Sequence, residues 1–170
     1  ASVASFFISR TETEVDRRLE AIGTPAALAL RGRGAVAQGC AAYDLFRNTF
    51  SGPRWEALVK RGARVQRPLW ASTSTKNPDY PDTLYVDALI GPETVNTIPD
   101  ATLEAFEDHG TVERTIDAHP AAGRDILAAL TSVGIDLDDV ADQLETEGVD
   151  AFIRSFDELL VSLTDKAATL

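Results

Sequence analysis

The chain has 170 residues, 44% of them hydrophobic and 25% charged, which is enough for one domain with a real core. A formal net charge of -11, spread along the chain, argues against nucleic acid and against an anionic membrane surface as partners. A single cysteine, Cys40, excludes an internal disulfide and a cysteine zinc site, and points to a reducing, cytoplasmic setting.

Taken in chain order, Val3 to Ser9 reads as a buried strand, with Arg10 at its end. Thr11 to Ala21 has helical character and Gly23 stops it. Thr24-Pro25 opens a long helical stretch to about Phe50, in which Gly32, Gly34 and Gly39 are weak points. Ser51-Gly52-Pro53 is a turn before a short helix over Arg54 to Arg61. Val65 to Ser72 is a second strand, followed by a polar loop from Thr73 to Asp82 that Pro78 and Pro81 keep irregular. A short helix over Thr83 to Ile90, a third strand over Thr94 to Ile98 and a helix from Asp100 to about His109 come next. The rest reads as helices: Arg124–Val133, Leu137–Glu147 and Val149–Lys166, the last two separated by Gly148.

Strands alternating with helices predict a parallel sheet of the α/β class. Three strands alone would leave two edges of unpaired backbone groups, so the sheet is expected to be completed from elsewhere. The chain also contains no methionine, even at its first position. It is therefore expected to be a segment of something longer. The apolar start has no basic leader and does not read as a signal peptide. No apolar run reaches the length of a membrane span.

Three strings carry a resemblance. The first is Val3-Ala4-Ser5-Phe6-Phe7-Ile8-Ser9-Arg10 with Thr13-Glu14-Val15-Asp16-Arg17-Arg18-Leu19. The second is Gln66-Arg67-Pro68-Leu69-Trp70-Ala71-Ser72-Thr73 with Lys76-Asn77-Pro78. The third is Asp82-Thr83-Leu84-Tyr85-Val86 leading to Thr94-Val95-Asn96-Thr97-Ile98-Pro99. In this order and spacing they resemble the long bacterial transaldolases, especially those of actinobacteria, and the resemblance extends over nearly the whole chain.

That resemblance implies the C-terminal part of a (β/α)8 TIM barrel, with the three strands as its sixth to eighth. It implies one partial-barrel segment over 1-170, with strands and their helices over 1-110 and a C-terminal helical extension over 111-170. In such barrels the site lies at the C-terminal ends of the strands. Alternation along the first strand puts Ser5 and Phe7 on one face. The family has an active-site serine and an apolar wall residue there, and a phosphate-binding arginine at Arg10, in the spacing Ser-x-x-x-x-Arg. Ser72 and Lys76 would complete the substrate-binding set. Lys76 stands two residues later than the family's usual arginine, and Ser74-Thr75 replaces the Gly-Val of many relatives.

The implied reaction moves a dihydroxyacetone unit between sugar phosphates of the pentose phosphate pathway through a lysine Schiff base, with no cofactor and no metal. The family carries that lysine on the fourth strand. Lys60, Lys76 and Lys166 are the three lysines here and none matches its motif. The chain is therefore expected to supply phosphate binding, to depend on a missing N-terminal half, covalent or separate, and to be inactive alone. The alternative is an inactive barrel remnant that binds a phosphorylated ligand or a protein partner. Asn96 and Thr97 are further possible lining residues. Cys40, His109 and His119 read as structural.

Overall fold

The computed structural model describes residues 2–169, and these fall into two units, one ending at Ile135 and one beginning at Asp136. The first unit opens with β1 (Ser2–Phe7) and α1 (Ile8–Ile22), then α2 (Pro25–Leu28), α3 (Gly34–Thr49) and α4 (Gly52–Val59). It continues with β2 (Gln66–Ala71), α5 (Leu84–Ala88), β3 (Val95–Asn96), α6 (Asp100–His109) and α7 (Pro120–Ser132). The second unit is a single helix, α8 (Leu137–Ala168).

The sheet has the order β1-β2-β3 and is parallel throughout. Phe6 stands in register with Trp70, and Trp70 with Asn96. In-register residues of parallel strands share a face, so the sheet has one side carrying Phe6 and Trp70 and another carrying Ser5 and Phe7. The Phe6 and Trp70 rings meet edge to face, 6.0 Å between centroids. Trp70 is buried in a cluster with Ile8, Ala35, Tyr43, Tyr85, Leu89 and Ile116, so this side faces the helices. The Trp70 indole N–H donates to the Leu89 carbonyl at 3.1 Å, which satisfies the one polar atom that this large ring brings into the core. Ser5 and Phe7, on the other side, are exposed.

The first strand is shorter than the sequence suggests. It ends at Phe7, which keeps extended angles as the N-cap of α1, and Ile8 begins the helix. Ile8, Val15 and Leu19 recur at helical spacing, and all three are fully buried, so helical geometry at Ile8 adds a residue to the core. Arg10 is therefore in the first turn of α1 and not at the end of a strand. Gly23 closes α1 in the left-handed conformation and its N–H returns to the Leu19 carbonyl.

The stretch from Pro25 to Phe50 is two helices. Thr24 caps the first through the Ala27 N–H. Gly32, at φ 71°, turns the chain between them, a conformation that costs other residues more. At the chain's end the expected break at Gly148 is absent, and α8 is continuous. With no proline nearby, one glycine costs a helix only about 1 kcal/mol, less than the rest of a 32-residue helix supplies. Asp136 caps α8 by accepting from the Asp138 and Asp139 N–H groups.

Candidate active site

Because the strands are parallel, their C-terminal ends lie together. Phe7, Ala71 and Asn96 mark that end, and the segments that follow carry the polar residues of interest. The Arg10 guanidinium lies over the Phe7 ring, 4.8 Å from its centroid. This cation–π contact joins the helix's first turn to the free face of the sheet. Ser5 lies two residues back on the same face.

Ser72 directly follows β2 with a φ of 58°, unusual for a residue with a side chain. The Ser9 N–H donates to the Ser72 carbonyl at 3.1 Å, and the two hydroxyls lie 2.7 Å apart. The Ser72 carbonyl and hydroxyl thus both engage Ser9.

Lys76 is exposed, and its ammonium donates to the Ser74 hydroxyl at 2.7 Å. It lines a cavity of about 300 Å³ together with Thr13, Arg17, Asn77, Tyr80, Tyr85 and three carboxylates, Glu12, Asp16 and Glu20. Thr13 and Arg17 follow Arg10 at i+3 and i+7, on one stripe of α1. Lys76 thus meets the part of this stripe that carries Thr13 and Arg17, while Arg10 stands over Phe7 and does not line the cavity. A larger cavity, about 550 Å³, opens before β2 and β3 among Tyr43, Phe46, Arg47, Pro92 and Arg114. Its two arginines are already paired with Asp117, so it offers little for an anion.

Asn96 does not join the Ser5–Phe7 face. It stands in register with Trp70, and its carboxamide oxygen accepts from the Thr73 hydroxyl at 2.9 Å. Thr97 ties to the Trp70 carbonyl through its N–H and its hydroxyl. His109 bridges Asp82 and Asp108 at the surface. Cys40 is half-buried beside the core, and burial raises its thiol pKa first, then the charges of Asp44 and Asp117.

Sequence reasoning missed an acidic pair on α1. Glu12 is 2% exposed, and its carboxylate accepts from the N–H groups of Gly34 and Ala35 at the start of α3. Burial, and then the charge of Asp16, push its pKa up to about 7 against the pull of those two bonds. Asp16 accepts from the Gly32 N–H at 3.0 Å and from the Tyr80 hydroxyl at 2.5 Å. A signal was present: Ile8, Glu12, Val15 and Leu19 form one apolar stripe with a carboxylate at a core position. Next to it Glu14 takes the opposite course. The Arg17 guanidinium above all, helped by Arg18, holds it at about 2.

Among the described residues no group of three or more His, Cys, Asp or Glu side chains is placed to hold a metal ion. None of their helices is long and apolar enough to cross a membrane.

Three parallel strands with helices packed on one side define an α/β protein. The family model described as transaldolase/fructose-6-phosphate aldolase matches residues 1–163, and the chain belongs to that family. It is 53% identical over 167 residues to the transaldolase of Frankia alni, covering 98% of this chain and 45% of the relative. Identity is 55% with the transaldolase of a Parafrankia species, again over 45% of the relative, and 52% with that of Thermobifida fusca, over 46%. The chain thus spans less than half the length of the curated relatives it matches.

Proposed function

We propose that this chain is the C-terminal part of a transaldolase and supplies its sugar-phosphate grip. The family membership gives the reaction class, and one observation carries the local assignment: Arg10 sits over Phe7 at the strand tips, on the α1 stripe that Lys76 approaches. In this reading β1, β2 and β3 are the sixth to eighth strands of a (β/α)8 barrel. Residues 1-110 carry them with their helices, and 111-170 form the C-terminal helical extension. The Ser5–Phe7 face turns toward the barrel interior. The N-terminal half, covalently attached or separate, pairs with both sheet edges, β1 and β3. The protein works in the cytoplasm on substrates of the pentose phosphate pathway.

The chemistry divides accordingly. A lysine of the N-terminal half condenses with the donor ketone and loses water to form a Schiff base. The protonated imine takes up the electron pair as the carbon–carbon bond breaks, the aldose phosphate leaves, and the retained three-carbon unit adds to the acceptor aldehyde. The residues here act on the ends of the substrate. Arg10 offers a planar fork to phosphate oxygens, Lys76 adds a point charge, Ser5 and Ser72 present hydroxyls, and Phe7 walls the pocket.

Borohydride trapping with fructose 6-phosphate tests the division. The chain alone should show no label at Lys60, Lys76 or Lys166, and no transaldolase turnover. Joined to the N-terminal half, it should give a labelled peptide from that half only. A labelled peptide from residues 1–170 would refute the assignment.

A further inference from the structure

The loop that carries Lys76 is fastened to α1 at two points. At its start Ser72 is bound to Ser9 through backbone and hydroxyl. At its end the Tyr80 hydroxyl donates to Asp16. Ser9 and Asp16 are seven residues apart on α1, two helical turns or about 10 Å along one side. Lys76 is four residues from Ser72 and four from Tyr80, so it lies midway between the fastenings.

The second fastening is built to hold. Asp16 is 8% exposed and is fixed from behind by the Gly32 N–H. The Tyr80 ring closes over Gly32, where an added Cβ would meet the ring at 3.0 Å. A short turn leads into Tyr80: Asn77 accepts from the Asp79 N–H with its side chain and from the Tyr80 N–H with its carbonyl. The three carboxylates that line the cavity with Lys76 are engaged, Glu12 by Gly34 and Ala35, Asp16 by Gly32 and Tyr80, and Glu20 by Arg31. Each is held by donors other than the lysine.

We propose that Tyr80 and Asp16 are positioning residues for phosphate recognition: their hydrogen bond holds the Lys76 loop along α1, and so sets the Lys76 ammonium for a phosphate group. This rests on the sugar-phosphate reading above. Neither residue needs to touch substrate. Without the bond, the far end of the loop loses its hydrogen bond to α1 while the ties at Ser72 and Thr73 remain at its start, and Lys76 must be ordered again each time phosphate binds.

The test is a set of variants in the complete transaldolase containing this chain. Tyr80→Phe keeps the ring over Gly32 and removes only the hydroxyl. We expect KM for fructose 6-phosphate, and the inhibition constant of inorganic phosphate, to rise about three- to tenfold. The kcat should stay within twofold, and kinetics with unphosphorylated fructose as donor should be unchanged. Asp16→Asn, whose oxygen can keep the Gly32 N–H while its NH2 donates to the phenol oxygen, should retain most of the phosphate affinity that Asp16→Ala loses. A loss shared equally by both donors, or falling on kcat, would assign the pair to stability alone and overturn the proposal. Unchanged phosphate affinity in Tyr80→Phe and Asp16→Ala, while Arg10→Ala and Lys76→Ala weaken it, would overturn the positioning role and leave the site standing. If those cation variants also leave phosphate affinity unchanged, the sugar-phosphate reading itself fails, and the positioning role with it.

Discussion

The hydroxyls of Ser9 and Ser72 lie 2.7 Å apart, joining the first turn of α1 to the end of β2 across 63 residues of sequence. Ser9 is 1% exposed, so removing its hydroxyl leaves the Ser72 side chain without this partner in a closed setting. Ser72 meanwhile holds a left-handed backbone that only its surroundings maintain. Ser9→Ala should lower the unfolding free energy by about 1 kcal/mol, the usual worth of such a bond. The check is urea denaturation, with a lower midpoint and an unchanged slope.

Arg10 stacks on Phe7 at the strand tips, and its guanidinium carries a planar fork of N–H donors. In the complete enzyme Arg10→Ala should reduce kcat/KM for fructose 6-phosphate by roughly tenfold to a hundredfold. This corresponds to losing a charge-assisted contact of about 1.5–3 kcal/mol. Arg10→Lys keeps the charge but loses the fork and the planar stack, and should fall between the two. Steady-state kinetics on phosphorylated and unphosphorylated donors will separate phosphate binding from general damage.

Periodicity and breakers made most of the order of elements legible. Thr24-Pro25 and Gly23 mark a helix boundary that the structure reproduces. What local sequence could not show was the competition at Ile8. Its β-branched, apolar neighbourhood favours a strand, but burial alongside Val15 and Leu19 decides for helix. The same limit hid Asp16 and Tyr80, which are 64 residues apart and meet only when the loop closes on α1. Arg10 and Phe7 were legible as candidates by resemblance, while their stacking was not, since it depends on that early helix start.

Gly148 shows the limit from the other side, because a glycine between two polar-rich stretches looked like a boundary and lies inside α8. There it carries only the entropic penalty of a flexible residue. Gly148→Ala should stabilise α8 by about 0.8–1 kcal/mol. Slower amide hydrogen exchange around residues 144–152, compared with the unaltered chain, is the measurement. Unchanged or faster exchange would mean that the glycine's small size is needed there.

Glu12 predicts a pH dependence whose sign is fixed by the direction of its shift. Its pKa in the folded protein is about 7, against an ordinary value of 4.5, because burial and the charge of Asp16 oppose ionisation. Between those values the folded state binds the proton more tightly than the unfolded chain. The contribution is therefore complete below pH 4.5 and is lost as pH rises toward 7, on the order of 3 kcal/mol in all. Glu14 acts in a separate window. Its pKa is lowered to about 2, so its contribution is present above pH 4.5 and fades as pH falls below that. His109, raised by its bonds to Asp82 and Asp108, begins to lose its contribution only above its ordinary 6.5. Between pH 4.5 and 6.5, then, Glu12 is the shifted group that sets the slope. Urea unfolding at half-unit steps should show stability falling with pH across that interval, and Glu12→Gln should flatten the fall. The amide oxygen can still accept from one of the two N–H groups at the start of α3, so the variant is expected to fold with somewhat lower stability. An equal slope in the variant would show that the carboxyl of Glu12 titrates elsewhere.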